Sequence, residues 1–155
     1  PYESLLEAKS LSGIAVNPSN ENEVYVASFF SGLLKITANE ISLFNTTNTG
    51  NNGLESLVLN PPNPNYIDVR VNTPAFDKEG NLWMTNSLVN KALKVLKTNG
   101  TWQSYNSGVL LPQGINENYA ALAIDENGTK WMPSSYDGLV GFNEKYNNKF
   151  TKIID

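Results

Sequence analysis

The stretches AFDKEGNLWMTNS (Ala75 to Ser87) and AIDENGTKWMPSS (Ala123 to Ser135) are two copies of one pattern, set 48 residues apart. Each runs from a small residue through an apolar one to Asp, then a Gly-containing turn, then Trp-Met. Together they hold two of the three Trp and both Met of the chain. A looser copy, AVNPSNENEVYVASF (Ala15 to Phe29), has Asn17 in place of the Asp and Tyr25-Val26 in place of Trp-Met. A second apolar alternation follows each copy: GLLKI (32–36), KALKVL (91–96) and GLVGF (138–142). A short aromatic-bearing segment then closes each unit: ISLFN (41–45), TWQSYN (101–106) and KFTKIID (149–155).

The segments are short, rich in β-branched and aromatic residues, and separated by Gly, Asn, Asp and Pro, which is the composition of strands and turns. DKEGN (77–81) and DENGT (125–129) read as tight hairpin turns, because Gly supplies positive φ and Asp or Asn tolerates it. Only ESLLEAK (3–9) has local helical character, and it reads equally as the outer strand of a preceding unit. Four short strands repeating every 40 to 60 residues match a β-propeller blade. Segments such as LWM and LVGF, apolar on both sides, fit a sheet covered on both faces by its neighbours.

The expected architecture is therefore an all-β propeller fragment of three four-stranded antiparallel blades, an arc of a larger wheel, expected to have seven blades. The blades are placed at 10–45, 66–106 and 117–155, with an inter-blade insert at 46–65. Inner strands are expected near Leu11 to Asn17, Ile67 to Asp77 and Tyr119 to Asp125. Three blades do not close a ring, since propellers use about four to eight. The end blades are accordingly expected to expose broad apolar faces, and the opening at Pro1 reads as a piece of something longer.

Composition narrows the chemistry. The net charge is −4, with single scattered cations and only one Arg, so there is no basic stripe to follow a phosphate backbone and nucleic acid is not an expected partner. No apolar run approaches the roughly 18 residues of a membrane span. The absence of Cys excludes disulfides and thiol nucleophiles, and the absence of His removes the usual general base and the commonest zinc ligand. Neither a clustered set of carboxylates nor a metal loop stands out, because DKEGN and DENGT are too short for the roughly six oxygen ligands of a calcium loop. The chain is read as a non-enzyme with no cofactor and no metal.

Candidate ligand contacts are few. Arg70 lies in YIDVRVN (66–72), two residues from Asp68 and so on the same strand face, with Asn72 next in the period. Arg70 offers a bidentate fork to a carboxylate or phosphate at the channel mouth; the competing reading is a structural ion pair with Asp68 or a clasp on carbonyls between blades. Trp102 falls on an outer strand and is a candidate interface residue. Trp83 and Trp131, with Tyr25 as their counterpart, are candidate sugar-stacking platforms, but recurrence at the blade period favours inter-blade packing, with Met filling the space beside each ring. Asp77, Asp125, Gly80 and Gly128 belong to the structural repeat.

The pattern D-x-x-G-N-x-W-x-x-(S/T), followed by Gly-Leu and an aromatic tail, resembles the two-component-regulator propeller repeat. Asp77, Gly80, Asn81 and Trp83 match it in the second copy; Asp125, Gly128, Trp131, Gly138 and Leu139 match it in the third. NTTNTG (45–50) and YNSG (105–108) resemble the polar link between blades in that family. The first copy departs at Asn17 and Tyr25, and the second has Ala92-Leu93 in place of Gly-Leu. The stretches 17–36, 53–77 and 92–106 look most similar to the PorZ-like surface components of the type IX secretion system. That resemblance implies an extracytoplasmic location, in the periplasm or at the surface of a Gram-negative bacterium. The partners it implies are the other blades of a longer protein, a glycan or lipopolysaccharide, and secretion-machinery proteins. The alternative it carries is the periplasmic oligosaccharide-sensing domain of a hybrid histidine kinase.

Overall fold

The structure is a computed structural model and describes residues 4–107 and 117–153. The ends of three sequence readings, at Glu3, Gly108 and Ile154-Asp155, lie outside the described residues.

Three four-stranded antiparallel sheets follow one another along the chain, each laid down in strict sequence order. The first comprises β1 (Leu11–Asn17), β2 (Asn20–Ser28), β3 (Gly32–Ile36) and β4 (Ile41–Phe44). The second comprises β5 (Ala75–Phe76), β6 (Leu82–Thr85), β7 (Leu93–Leu96) and β8 (Trp102–Tyr105). The third comprises β9 (Ala123–Ile124), β10 (Lys130–Ser134), β11 (Gly138–Asn143) and β12 (Lys149–Ile153). The first strands β1, β5 and β9 lie against one another, so the sheets radiate from a common inner edge. These are propeller blades. The ESLLEAK region is neither helix nor strand over its described residues: Leu6 and Glu7 take φ of 50° and 61°, which interrupts both.

The turns form for the reasons the sequence suggests. Gly80 and Gly128 each adopt φ of 83° and donate N–H to the carbonyls of Asp77 and Asp125, at 3.1 and 3.0 Å. The second and third inner strands are much shorter than expected. Only Ala75–Phe76 and Ala123–Ile124 are strand, with isolated bridges at Val69, Val71 and Tyr119. In the second blade Pro74 has no N–H to give a ladder; elsewhere side chains tie down inter-blade backbone, the Ser87 hydroxyl accepting from the Tyr119 N–H at 3.0 Å and Asn86 Oδ1 accepting from the Glu55 N–H at 2.8 Å.

Alternation along each strand sends successive side chains to opposite neighbours. From β6, Leu82 and Met84 enter the core shared with the first blade, beside Tyr25, Ala27 and Leu33. Trp83 enters the core shared with the third blade, beside Met132, Val140 and Phe142. The far face of the first blade meets no other blade among the described residues, although Leu34 on it is fully buried. It carries two all-apolar rows, Ile14-Val26-Leu34-Leu43 and Val16-Val24-Ile36-Ile41, with Ile14 61% and Val16 50% exposed.

Candidate functional site

The Trp of the doublet is a packing residue with a polar anchor. Trp83 is buried, stacks on Tyr105 at 5.7 Å, and donates its indole N–H to Asp77 Oδ2 at 2.7 Å. The same carboxylate accepts from the Asn81 backbone N–H and side-chain amide, so one Asp closes the hairpin and fixes the ring six residues on. In the third blade the indole of Trp131 donates to Asp125 at 3.0 Å, and Asp125 also accepts from the N–H groups of Asn127 and Thr129. Those contacts, the Thr129 backbone bond first, hold the Asp125 carboxyl below the usual range. Trp131 is only half-buried, since its face of the third blade has no described neighbour.

The first blade solves the same problem with other residues. Glu23 supplies the carboxylate: Oε1 accepts from Tyr25 Oη at 2.8 Å and from Asn17 Nδ2 at 3.1 Å, while Oε2 pairs with Lys35 Nζ at 2.8 Å. Burial pushes the Glu23 carboxyl up, but the bonds from Lys35, Tyr25 and Asn17 outweigh it and hold the group below its ordinary value. Burial first, and the Glu23 bond second, raise the Tyr25 phenol.

The two ends of the strands differ in what they present. One edge gathers the β1–β2 and β3–β4 type turns; the opposite edge gathers the β2–β3 type loops and the connections between blades. Arg70 stands at this second edge, where the Val69 N–H donates to the Phe30 carbonyl. Its Nε donates to both oxygens of Asp68 at 3.1 Å, and Nη2 to Oδ2 at 2.9 Å. Tyr66 donates its hydroxyl to the same carboxylate at 2.9 Å. The guanidinium lies over the rings of Phe29 and Phe30, 5.3 and 5.4 Å from their centroids. The bond to Asp68 raises the Arg70 pKa further, so it is a permanent cation. Asp68 is buried and the Arg70 side chain is 21% exposed. Arg70 is thus an ion-paired group that still shows an edge to solvent, flanked by aromatic rings.

The other named candidates are not gathered at that point. Asn72 is a clasp: its amide donates to the Tyr119 carbonyl and to the Ser87 hydroxyl, tying the second blade to the third. Trp102 lies on the outer strand, half-buried and edge-to-face against Phe44 at 5.8 Å. Phe29 and Phe30 escape sequence reading, because their meeting with Arg70 depends on how one blade docks on the next. Tyr66 is not singled out either, although its period with Asp68 and Arg70 is a signal that could have found it.

No family model matches the sequence, and no curated protein matches it. Solved structures do match in fold. PorZ, an essential bacterial surface component of the type IX secretion system of Porphyromonas gingivalis, superposes with a TM-score of 0.70 at 21% identity. The extracellular domain of a putative hybrid two-component system from B. thetaiotaomicron superposes with a TM-score of 0.61 at 17% identity. An auxiliary nutrient binding protein from Bacteroides thetaiotaomicron gives 0.62 at 14% identity. These likenesses cover 90%, 91% and 95% of this chain, but only 19%, 16% and 31% of those proteins. The fold expected from the resemblance is the fold found.

Proposed function

We propose that this chain is a non-enzymatic binding module, part of a larger and seven-bladed propeller, that works outside the cytoplasm as a type IX secretion component of the PorZ kind. Its 10–45, 66–106 and 117–155 blades form a rigid support, and its ligand is an acidic surface glycan or a partner protein bearing carboxylates. The observation that carries the reading is Arg70: the one Arg of the chain, oriented by Asp68, walled by Phe29 and Phe30, and open at one edge. A fork held by a buried carboxylate and framed by aromatic faces suits a sugar acid, whose carboxylate takes the charge while its ring packs on the aromatic walls. In this reading Asp68 sets the fork, Asn72 holds the inter-blade spacing beneath it, and Trp102 is a separate outer-strand contact for a protein partner. The likeness to a hybrid two-component extracellular domain supports a second reading, a glycan-sensing domain with the same contact residue.

Calorimetric titration with oligogalacturonates tests the site. Binding that falls on Arg70→Lys, which keeps the charge but loses the fork, and disappears in Arg70→Ala is the expected result. Undiminished binding by folded Arg70→Ala, or no binding by the wild type, refutes the role of Arg70.

A further inference from the structure

The opposite edge of the molecule holds a feature that the Arg70 site does not use. Between the turn ends of the first and second blades lies a cleft of about 830 Å³, while the equivalent space between the second and third blades is about 240 Å³. The difference has a residue-level cause. In the narrower gap, Lys130 is buried with its ammonium 3.8 Å from the centre of the Trp83 ring, and it is paired with Glu144. Lys78 also spans that gap, donating to the Glu126 carbonyl at 2.9 Å. By strand register, the residue of the second blade equivalent to Lys130 is Leu82, paired with Leu96 as Lys130 is with Phe142, and the residue equivalent to Glu144 is Thr98. The ring opposite is Tyr25 in place of Trp. Leu, Thr and Tyr are smaller than Lys, Glu and Trp, so the plug is missing.

The lining is amphipathic rather than simply apolar. Half-buried Phe44 and Phe76 supply aromatic surface, with the buried Tyr25 ring edge-to-face behind Phe76 at 5.9 Å. Beside them Glu23 and Lys35 form a paired donor and acceptor group oriented by Asn17 and Tyr25. Charges of both signs line the cleft, so the field favours no ion. Its volume is that of a small-ligand site, and such sites combine aromatic walls with a few fixed polar groups. We propose that this cleft binds a neutral pyranose unit of an oligosaccharide, the ring lying on the partly exposed Phe44 and Phe76 surface while its hydroxyls bond Lys35 and Glu23. A pyranose has an apolar C–H face and a rim of hydroxyls that both donate and accept, which matches a wall that is aromatic on one side and charge-balanced on the other. The site lies at the opposite end of the strands from Arg70 and stands or falls apart from it.

The test transfers the plug. The double variant Leu82→Lys/Thr98→Glu places the Lys130 and Glu144 pair into the open gap; Lys35→Met removes the cation while keeping its stem. Amide chemical shifts are followed by NMR on adding maltotriose, cellotriose or, as an acidic control, trigalacturonate. The expected result is movement of the amides of Asn17, Ser19 and residues 78–80 and 97–100 with a neutral trisaccharide, unaltered in Arg70→Ala. Binding is expected to weaken by about tenfold or more in both the plugged variant and Lys35→Met. Should the plugged variant not fold, Lys35→Met decides alone. Lack of movement at this edge with either neutral sugar, movement with the acidic sugar only, or undiminished binding by folded Lys35→Met or plugged protein overturns the proposal.

Discussion

The smallest unit that explains this chain is one carboxylate and one indole. Asp77 serves three donors, and with Trp83 sealed between blades no water reaches the indole N–H in its place. Asp77→Ala is therefore expected to cost about 2 kcal/mol, the usual penalty for a buried donor left unmade together with a lost turn bond. Asp125→Ala is expected to cost less, because half-buried Trp131 regains part of its bond from water. Urea denaturation of the two variants side by side checks the order; a reversed order would show that the ring is not sealed as described. This pairing is legible in sequence as a fixed Asp-to-Trp spacing. Its counterpart in the first copy is not, because Glu23 does the work from the strand rather than from the turn. The same limit applies to Lys94 and Lys130, charged strand residues that are nonetheless buried. The burial of either depends on what the neighbouring blade or insert places above it, and no local pattern records that.

At the scale of elements, the meeting of inner strands sets how closely blades pack. The Ser12 hydroxyl donates to the Val71 carbonyl at 2.8 Å, and the Thr73 hydroxyl donates to the Ser12 carbonyl at 3.0 Å. Between them Gly13 leaves no room: a Cβ there would sit 2.0 Å from Thr73 Oγ1 and 2.5 Å from its Cβ. Gly13→Ala is expected to destabilise by about 1–3 kcal/mol through overpacking, and Thr73→Gly in the same chain to recover most of that loss. A double-mutant cycle measured by thermal denaturation reads the coupling directly; additive losses would place the strain elsewhere. The strand pattern predicted a full inner strand here, but the chain instead makes scattered bridges around Pro74, so period and propensity located the element without giving its length. Cross-strand rows fare better. The two apolar rows on the open face of the first blade follow from alternation alone, and Ile14→Ser at 61% exposure is expected to cost under about 1 kcal/mol, whereas Leu33→Ala, fully buried on the covered face, is expected to cost about 2–5 kcal/mol.

For the molecule as a whole, pH acts through the buried groups that join its parts. Lys94 on β7 is fully buried, and its counter-ion among the described residues is Glu55 of the insert, 3.1 Å away but not at a hydrogen-bonding angle. Burial lowers the Lys94 pKa to about 8; Glu55 opposes that shift and Lys91 adds to it. An unfolded Lys titrates near 10.4. Between those values the unfolded chain binds more protons than the folded one, so stability rises as pH increases from about 8 toward about 10. The phenols act with the opposite sign. Tyr119 is raised to about 12, mainly by burial, and Tyr25 is raised also, so above about 10 the unfolded chain loses those protons first and stability falls. The expected profile of urea midpoints therefore climbs past pH 8 and turns over near pH 10. Lys94→Met is expected to flatten the climb and to raise the midpoint at pH 7, because it removes a buried charge while partly exposed Glu55 stays hydrated. Glu55→Gln is expected to lower the midpoint at pH 7 and to steepen the climb, since it leaves the ammonium without its partner. A Lys94→Met chain whose midpoints still rise between pH 8 and 10 as in the wild type would show that some other group carries the dependence.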